Sequence, residues 1–530
     1  MNTNTQTTNI WDYIWNIVNP WIAPDRGKGL SSEENNKTKA LVPLFILSIM
    51  SYYMLRIVKD RILLVLGKGS SMISIVKGLF VFPATILMVI FYSLAVSRYG
   101  QKTVILWAIR IFSFALLVLS GGFLFHSHFI TSPALLAQQL IEATDFMVFG
   151  ITLIPVNLVK SLLILKSDWL IPLTYLFSEL FGSFAVSMFG WNAAVSVTSS
   201  QEAKNIFPIL STYCQISQML SGLFAMFLDS FLKLSFIESL ITVEYGVIQL
   251  FVTFLITVGI FFTYNYVYDN ALPVIRSKKK KEVGFFEGIL VIFRNPVLLP
   301  LVIMVICYGL GMGLIELCWK DFVYLHSVAT NVGLETIISN QVFFTGFLSL
   351  IFSFWFQQYA QKMDWLSLAM MPLVIQIVTG LSFLSLPALY YNGITSAMGI
   401  DLSLMVGSLR VVSWAAAIGF AQNTMTKASK YMFFDNSKEL AYVPLGDFEK
   451  TAGKSAVDMI GGRAGKALSG LIGIYYVAAN FTYARFCVKE IMFILLFIWA
   501  IWFLSIVSLN RAYIKAVADR EASNSANRDV

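Results

Sequence analysis

Charged side chains lie inside stretches that are otherwise apolar enough to cross a bilayer. One such stretch carries Arg56, Lys59 and Asp60, the next opens with Lys77, and a third holds Glu179 with no cation beside it in sequence. Farther on come Glu316 with Lys320, then Lys454 and Asp458 followed by Arg463 and Lys466. Insertion scales put a central Arg, Lys or Asp at about 2.5–3.5 kcal/mol each, so five of them cost on the order of 12–17 kcal/mol unless paired, hydrated or bound to a ligand. Pairing along one helix can absorb part of this: Arg56 and Asp60, Glu316 and Lys320, and Lys454 and Asp458 each share a helical face. Lys59, Lys77, Arg463 and Lys466 are then surplus cations, and Glu179 is an isolated carboxylate. Cations from both ends of the chain converging on one cavity suit a polyanion. Lys and Arg donate several charge-assisted hydrogen bonds to phosphate oxygens, and Arg does so with two parallel donors. Carboxylates in the same cavity can hold the lysines apart when it is empty, bind ribose hydroxyls or carry protons. Glu179 and Glu316 are the residues expected to do this, with Arg56 and Lys320 in the same charge network.

The elements that must position these groups are set by composition. Of 530 residues, 57% are hydrophobic and only 13% charged. A soluble chain of this length needs about twice that charge. Runs of about 20 apolar residues recur, and runs that long in lipid are helices, because only helices or a closed barrel satisfy the backbone there. The fold class expected is therefore an all-α polytopic membrane protein with twelve spans. They fall at about 40–66, 72–97, 103–125, 168–196, 206–233 and 243–269, then about 297–325, 335–357, 366–388, 401–433, 453–477 and 488–511. The stretch 131–165 holds Gln138, Gln139, Glu142, Asp145 and Asn157, and we read it as helices lying against the bundle on the outer side.

Basic residues orient the chain. With an internal N-terminus, inner segments collect Arg26, Lys28, Lys37, Lys39, Arg98, Lys102, Lys204, the Arg276–Lys281 cluster, Lys362 and Lys427 through Lys450. The tail adds Arg511, Lys515, Arg520 and Arg528, whereas the outer loops hold little beyond Lys68, Lys233 and Arg485. This is a positive-inside pattern with both termini cytoplasmic, and it accounts for the net charge of +8 without nucleic acid. The expected domains are a cytoplasmic segment 1–39 with an interfacial helix around Trp11–Val18, a six-helix bundle 40–270, a basic linker 271–296, a second bundle 297–511 and a cytoplasmic tail 512–530. Two six-span halves around a basic central loop is the major-facilitator layout.

Other chemistry is weakly supported. The four cysteines have neither metal-ligand nor disulfide spacing, and three histidines are too few for a histidine metal site, with His126 and His128 read as interfacial. No cofactor or metal is expected. The run from Gly461 to Ala467 imitates a phosphate-binding loop, but its glycine spacing is one residue short and Ala467 offers no hydroxyl. It reads as a glycine-rich helix suited to close packing.

Longer blocks resemble one family. The segment from Lys427 to Leu445 carries Lys430, Tyr431, Asp435, Ser437, Lys438, Glu439, Ala441, Tyr442 and Pro444. It continues from Lys450 to Lys466 through Gly453, Lys454, Asp458, Arg463 and Gly465, with Gln422 and Asn423 ahead of it. Together these resemble the signature of the non-mitochondrial ATP/ADP translocases, the nucleotide transporters of obligate intracellular bacteria and plastids. Tyr53–Asp60, Ser178–Ser183, Glu202–Lys204 and the group Tyr308, Gly309, Leu314, Glu316, Trp319 and Lys320 look like further motifs of that family. The resemblance covers about residues 40–510. It implies a major-facilitator-like nucleotide carrier of a bacterial inner membrane, with Lys59, Glu179, Glu316 and Lys454 at the family's functional charged positions. The sequence departs from the ATP/ADP type at Phe181, Gly446, Lys466–Ser469 and Phe189–Val195.

The resulting expectation is alternating access. Lys59, Lys77, Lys454, Arg463 and Lys466 hold phosphates, Gln422 and Asn423 contact base or ribose, and phosphate or protons move as co- or counter-substrate. ATP/ADP exchange and proton-coupled import of other nucleotides or of NAD stay open. A multidrug-type exporter is disfavoured by the surplus cations, and a lipid-phosphate enzyme by the lack of a catalytic cluster.

Overall fold

The computed structural model describes residues 31–148, 151–198, 200–233, 245–270, 292–359, 363–391, 407–446, 457, 461–479 and 488–526. The expected interfacial helix and most of the basic linker lie outside the described residues.

The first helix, α1 (Ser32–Gly67), starts on a capping box. The Ser31 hydroxyl accepts the Glu34 amide while the Glu34 carboxylate accepts the Ser31 amide. It ends where Lys68 turns left-handed at φ 48°. Next come α2 (Ser71–Tyr99) and α3 (Gln101–Leu124). Between these and α6 lies an excursion made of α4 (Pro133–Glu142), strands β1 (Phe146–Val148) and β2 (Ile151–Ile154), and α5 (Val156–Ser167). The first half is completed by α6 (Leu170–Val197), α7 (Ser200–Leu232) and α8 (Tyr245–Asn270). The second half comprises α9 (Leu298–Thr330), α10 (Leu334–Tyr359), α11 (Trp365–Tyr391), α12 (Ser408–Ser429, continuing through Lys430–Phe434 and Asp435–Ala441), α13 (Gly462–Ala478) and α14 (Val488–Ala526).

Nine of these helices are long and apolar enough to cross a membrane. The remaining three expected spans fall on α13, whose described part is 17 residues long, and on α7 and α12, which are more polar for a packing reason. Gln215, Ser217, Gln218 and Ser221 on α7, and Gln422, Asn423, Thr426 and Lys427 on α12, are buried among other helices rather than turned to lipid. The protein is an all-α, multi-pass membrane protein.

The excursion corrects the expectation for 131–165. It is not purely helical: β1 and β2 pair antiparallel, Phe146 with Ile154 and Val148 with Ile151. Its base is closed by the Thr131 amide donating to the Ser167 carbonyl at 2.9 Å and by His126 Nε2 against Asp168 Oδ1 at 2.8 Å. His126 therefore fastens a loop rather than merely filling an interface.

Within the first half α1 packs on α6, α7 and α8, and within the second α9 packs on α12, α13 and α14. Between halves, α7 lies against α10 and α2 against α13. Glycine makes both crossings possible: a Cβ on Gly222 would fall 2.5 Å from the Phe343 backbone nitrogen, and one on Gly470 would fall 3.0 Å from that of Gly78.

We call the face where α1 begins the near face and the one where it ends the far face. Toward the near face α1 bonds within the first half, as in Lys37 to Glu202 at 2.6 Å. Among the described residues, hydrogen bonds and ion pairs from α1 to the second half begin at Tyr53, whose hydroxyl lies 2.8 Å from that of Tyr431, and continue to its far end.

Candidate functional site

The charged groups of α1 project where it meets α9 and α6. Arg56 Nη2 pairs with Glu316 Oε1 at 2.8 Å, and Lys320 Nζ pairs with Asp60 Oδ2 at 2.8 Å, so two bridges of opposite polarity join the same two helices. Lys59 Nζ reaches Glu179 Oε1 on α6 at 2.7 Å and Asp60 Oδ1 at 3.1 Å. It also stands 4.2 Å from the centroid of the Tyr175 ring, one helical turn from Glu179. Glu316 gathers three cations, because Lys427 Nζ on α12 lies 3.2 Å from it and Lys320 3.4 Å. The carboxylates remain reachable: the Glu179 side chain is 21% exposed and that of Glu316 13%.

Two expectations are corrected by this geometry. Glu179 is not isolated and Lys59 is not surplus; they neutralise each other from helices far apart in sequence. Asp60 accepts from Lys59 and Lys320, and its partner is not the Arg56 of its own helix face, because the inward side of α1 meets α9 at that level.

Elsewhere between the halves α2 meets α13. A side chain at Gly470 would touch the Lys77 Cβ at 3.2 Å, which brings Lys77 next to the helix bearing Arg463 and Lys466. Lys77 sits on a π-helical turn, Val76–Val81, a widening that re-aims side chains and is frequent at functional sites. Lys77 lies within electrostatic reach of both Glu316 and Glu179, and Glu179 also senses Lys466. Among the described residues Lys77, Arg463 and Lys466 form no ion pair, and Arg463 Nη1 is buried without a hydrogen-bond partner. Three cations that lack carboxylates thus face a network in which the other cations have them.

Gln422 and Asn423 are almost fully enclosed. The Gln422 amide donates to Thr426 Oγ1 at 3.1 Å and that of Asn423 to the Gly419 carbonyl at 2.9 Å, so both bond along their own helix. Lys454, with Asp458, lies outside the described residues. Lys427 was missed: it was counted among inner-segment charges, yet it is buried between helices against Glu316. Its place inside the expected span 401–433 was the available signal. Tyr175 carried none, since one tyrosine among many on apolar helices reads as packing.

Two helical bundles joined by a buried ionic interface, with unpaired cations at its edge, define a membrane transporter. Solved structures with this arrangement of helices include a bacterial homologue of the iron transporter ferroportin in an inward-facing state, with TM-score 0.52, 14% identity and coverage of 91% of this chain and 98% of that one. The nucleoside transporter NupG is similar at TM-score 0.51 and 12% identity, covering 91% and 99%. These likenesses establish the fold. The profile of the TLC ATP/ADP transporter family matches residues 30–513, and the chain belongs to that family. Relatives include ADP,ATP carrier protein 4 of Rickettsia bellii, 28% identical over 522 residues with 96% of this chain and 93% of the relative covered. ADP,ATP carrier protein 1 of Chlamydia pneumoniae is 28% identical over 509 residues, covering 92% and 93%.

Proposed function

We propose that this carrier moves nucleotides by alternating access, exchanging ATP-type for ADP-type substrates across a bacterial inner membrane with the near face and both termini in the cytoplasm. The observation that carries the reading is the contrast between two groups of cations. Lys77, Arg463 and Lys466 have no carboxylate partner among the described residues, while Arg56, Lys59, Lys320 and Lys427 are neutralised by Asp60, Glu179 and Glu316. A polyphosphate entering from the near face meets the unpaired cations first and then competes for the paired ones, so Glu179 and Glu316 stand in for substrate while the site is empty. Lys454 completes the phosphate set in this reading, and Gln422 and Asn423 shape the wall behind the base and ribose.

A second reading is proton-coupled import of other nucleotides. It is favoured by the partial exposure of Glu179 and Glu316, since a carboxylate that trades its cation for substrate can also take up a proton. Purified protein in liposomes, loaded or empty, with labelled ATP, ADP, GTP, UTP, CTP and NAD and with or without a pH gradient, tests both. Exchange that needs internal nucleotide supports the first reading, and gradient-driven uptake into empty liposomes supports the second. If no nucleotide is transported or stabilises the purified protein, both fall.

A further inference from the structure

A second ionic layer joins the two halves beyond the central network. On the far side of Asp60, Arg61 Nε meets Glu335 Oε2 of α10 at 3.0 Å. Lys233, just past the end of α7, holds the other oxygen of Glu335 at 3.3 Å and Asp229 at 2.8 Å. The Thr336 hydroxyl donates to Asp229 Oδ2 at 2.9 Å. Alongside, the Ser70 amide, immediately before α2, donates to Asp321 Oδ1 of α9 at 3.0 Å. A carboxylate at that place meets both an amide without a helical acceptor and the positive end of the α2 dipole. Both Glu335 and Asp321 belong to the second half, and the donors they engage belong to the first.

The two layers share a register. Asp60 and Lys320 belong to the inner layer, and the residues next to them, Arg61 and Asp321, belong to the outer one. We infer that Arg61, Glu335 and Asp321 lock the empty carrier shut at the far face and so determine that it returns only when loaded. The inference rests on the carrier reading above. Without substrate, opening at the far face must break both layers. When phosphates occupy Arg56, Lys320 and Lys427, the inner bridges to Glu316 and Asp60 are already given up, and only the outer layer resists. The outer layer is therefore high enough, together with the inner one, to block the empty form and low enough, alone, to let the loaded form pass.

The test compares labelled ATP uptake into nucleotide-free liposomes with uptake into ADP-loaded ones, for wild type, Glu335→Gln, Arg61→Gln and the conservative Glu335→Asp. The expected result is a rise in the free-to-loaded ratio of about three- to tenfold for the first two variants, the scale of one lost partly exposed bridge, and a wild-type ratio for Glu335→Asp. Should either charge-deleted variant fold poorly, Thr336→Val removes one neutral contact of the lock and raises the ratio less. The paired change Asp229→Cys with Thr336→Cys adds a second readout: oxidation stops exchange and reduction restores it. An unchanged ratio in Glu335→Gln and Arg61→Gln, or exchange that continues in the oxidised pair, overturns the lock while leaving the carrier reading intact. Absence of wild-type exchange in loaded liposomes overturns both.

Discussion

Arg56 and Glu316 meet at 2.8 Å across the interface between the two halves, and Glu316 holds Lys320 at 3.4 Å and Lys427 at 3.2 Å as well. One carboxylate is thus the counter-ion for cations on three helices, α1, α9 and α12. Desolvation penalises every member of such a set, and the penalty is offset only while the set is complete. A polyphosphate offers the same cations more anionic oxygens than Glu316 can, and on that ground the proposed function takes the network as its site.

Glu316→Gln leaves Arg56, Lys320 and Lys427 without their shared anion. Removing one partner of a buried charge set costs about 3–5 kcal/mol, so the unliganded protein should unfold at a clearly lower temperature. Nucleotide should recover more stability in the variant than in wild type, because it supplies the missing charge. Thermal unfolding in detergent with and without ATP measures both. Equal ligand shifts in the two proteins would separate Glu316 from the substrate's cations.

Lys77→Ala and Lys466→Ala should behave in the opposite way. Neither lysine is ion-paired among the described residues, so unliganded stability should change little. Loss of one charge-assisted bond to phosphate costs about 1.5–3 kcal/mol, a rise in apparent KM of roughly 10- to 150-fold. Lys59→Ala differs from both: it abandons Glu179 and Asp60 and should lower stability and transport together. Uptake kinetics beside melting curves distinguish the two patterns.

Tyr175 supports Lys59 through the face of its ring at 4.2 Å. Tyr175→Phe keeps that face and should transport within about threefold of wild type, whereas Tyr175→Leu removes a desolvated cation–π contact worth about 2 kcal/mol. Initial uptake rates of the two variants decide the matter, and equal rates would reduce Tyr175 to packing.

Gly222→Val should uncouple the halves mechanically. Its first side-chain atom would sit 2.5 Å from the Phe343 nitrogen and 2.7 Å from the Ser339 oxygen, both backbone atoms that cannot swing aside. Transport should fall at least about tenfold, since the α7–α10 crossing is forced apart. Gly121→Ala, where a side chain meets nothing within 4 Å, serves as the control and should be silent.

Much of this was legible along the chain. Hydropathy placed the nine helices that are long and apolar enough to cross a membrane, since length and apolarity are local properties dictated by the bilayer. The cost of burying charge singled out Arg56, Lys59, Lys77, Glu179, Glu316, Lys320, Arg463 and Lys466 as candidates, because an unpaired ion in lipid is expensive whatever the fold. The blocks around Lys59, Glu179, Glu316 and Lys454 carried the family. Local patterning could not assign partners. Periodicity relates residues within a few turns, and it suggested Arg56 with Asp60, whereas Arg56 finds Glu316 260 positions away and Lys59 finds Glu179 120 away. Helix crossing angles and glycine contacts decide such pairs, and these exist only once the bundle has closed. The same limit hid the hairpin in 131–165, whose short strands have no signal of their own, whereas Lys427 already lay inside the expected span 401–433. What the chain determined by itself was which groups are too costly to bury idly. The tertiary structure alone decided which of them are already neutralised, which lack a counter-charge among the described residues, and that Arg61 meets Glu335 across the two halves.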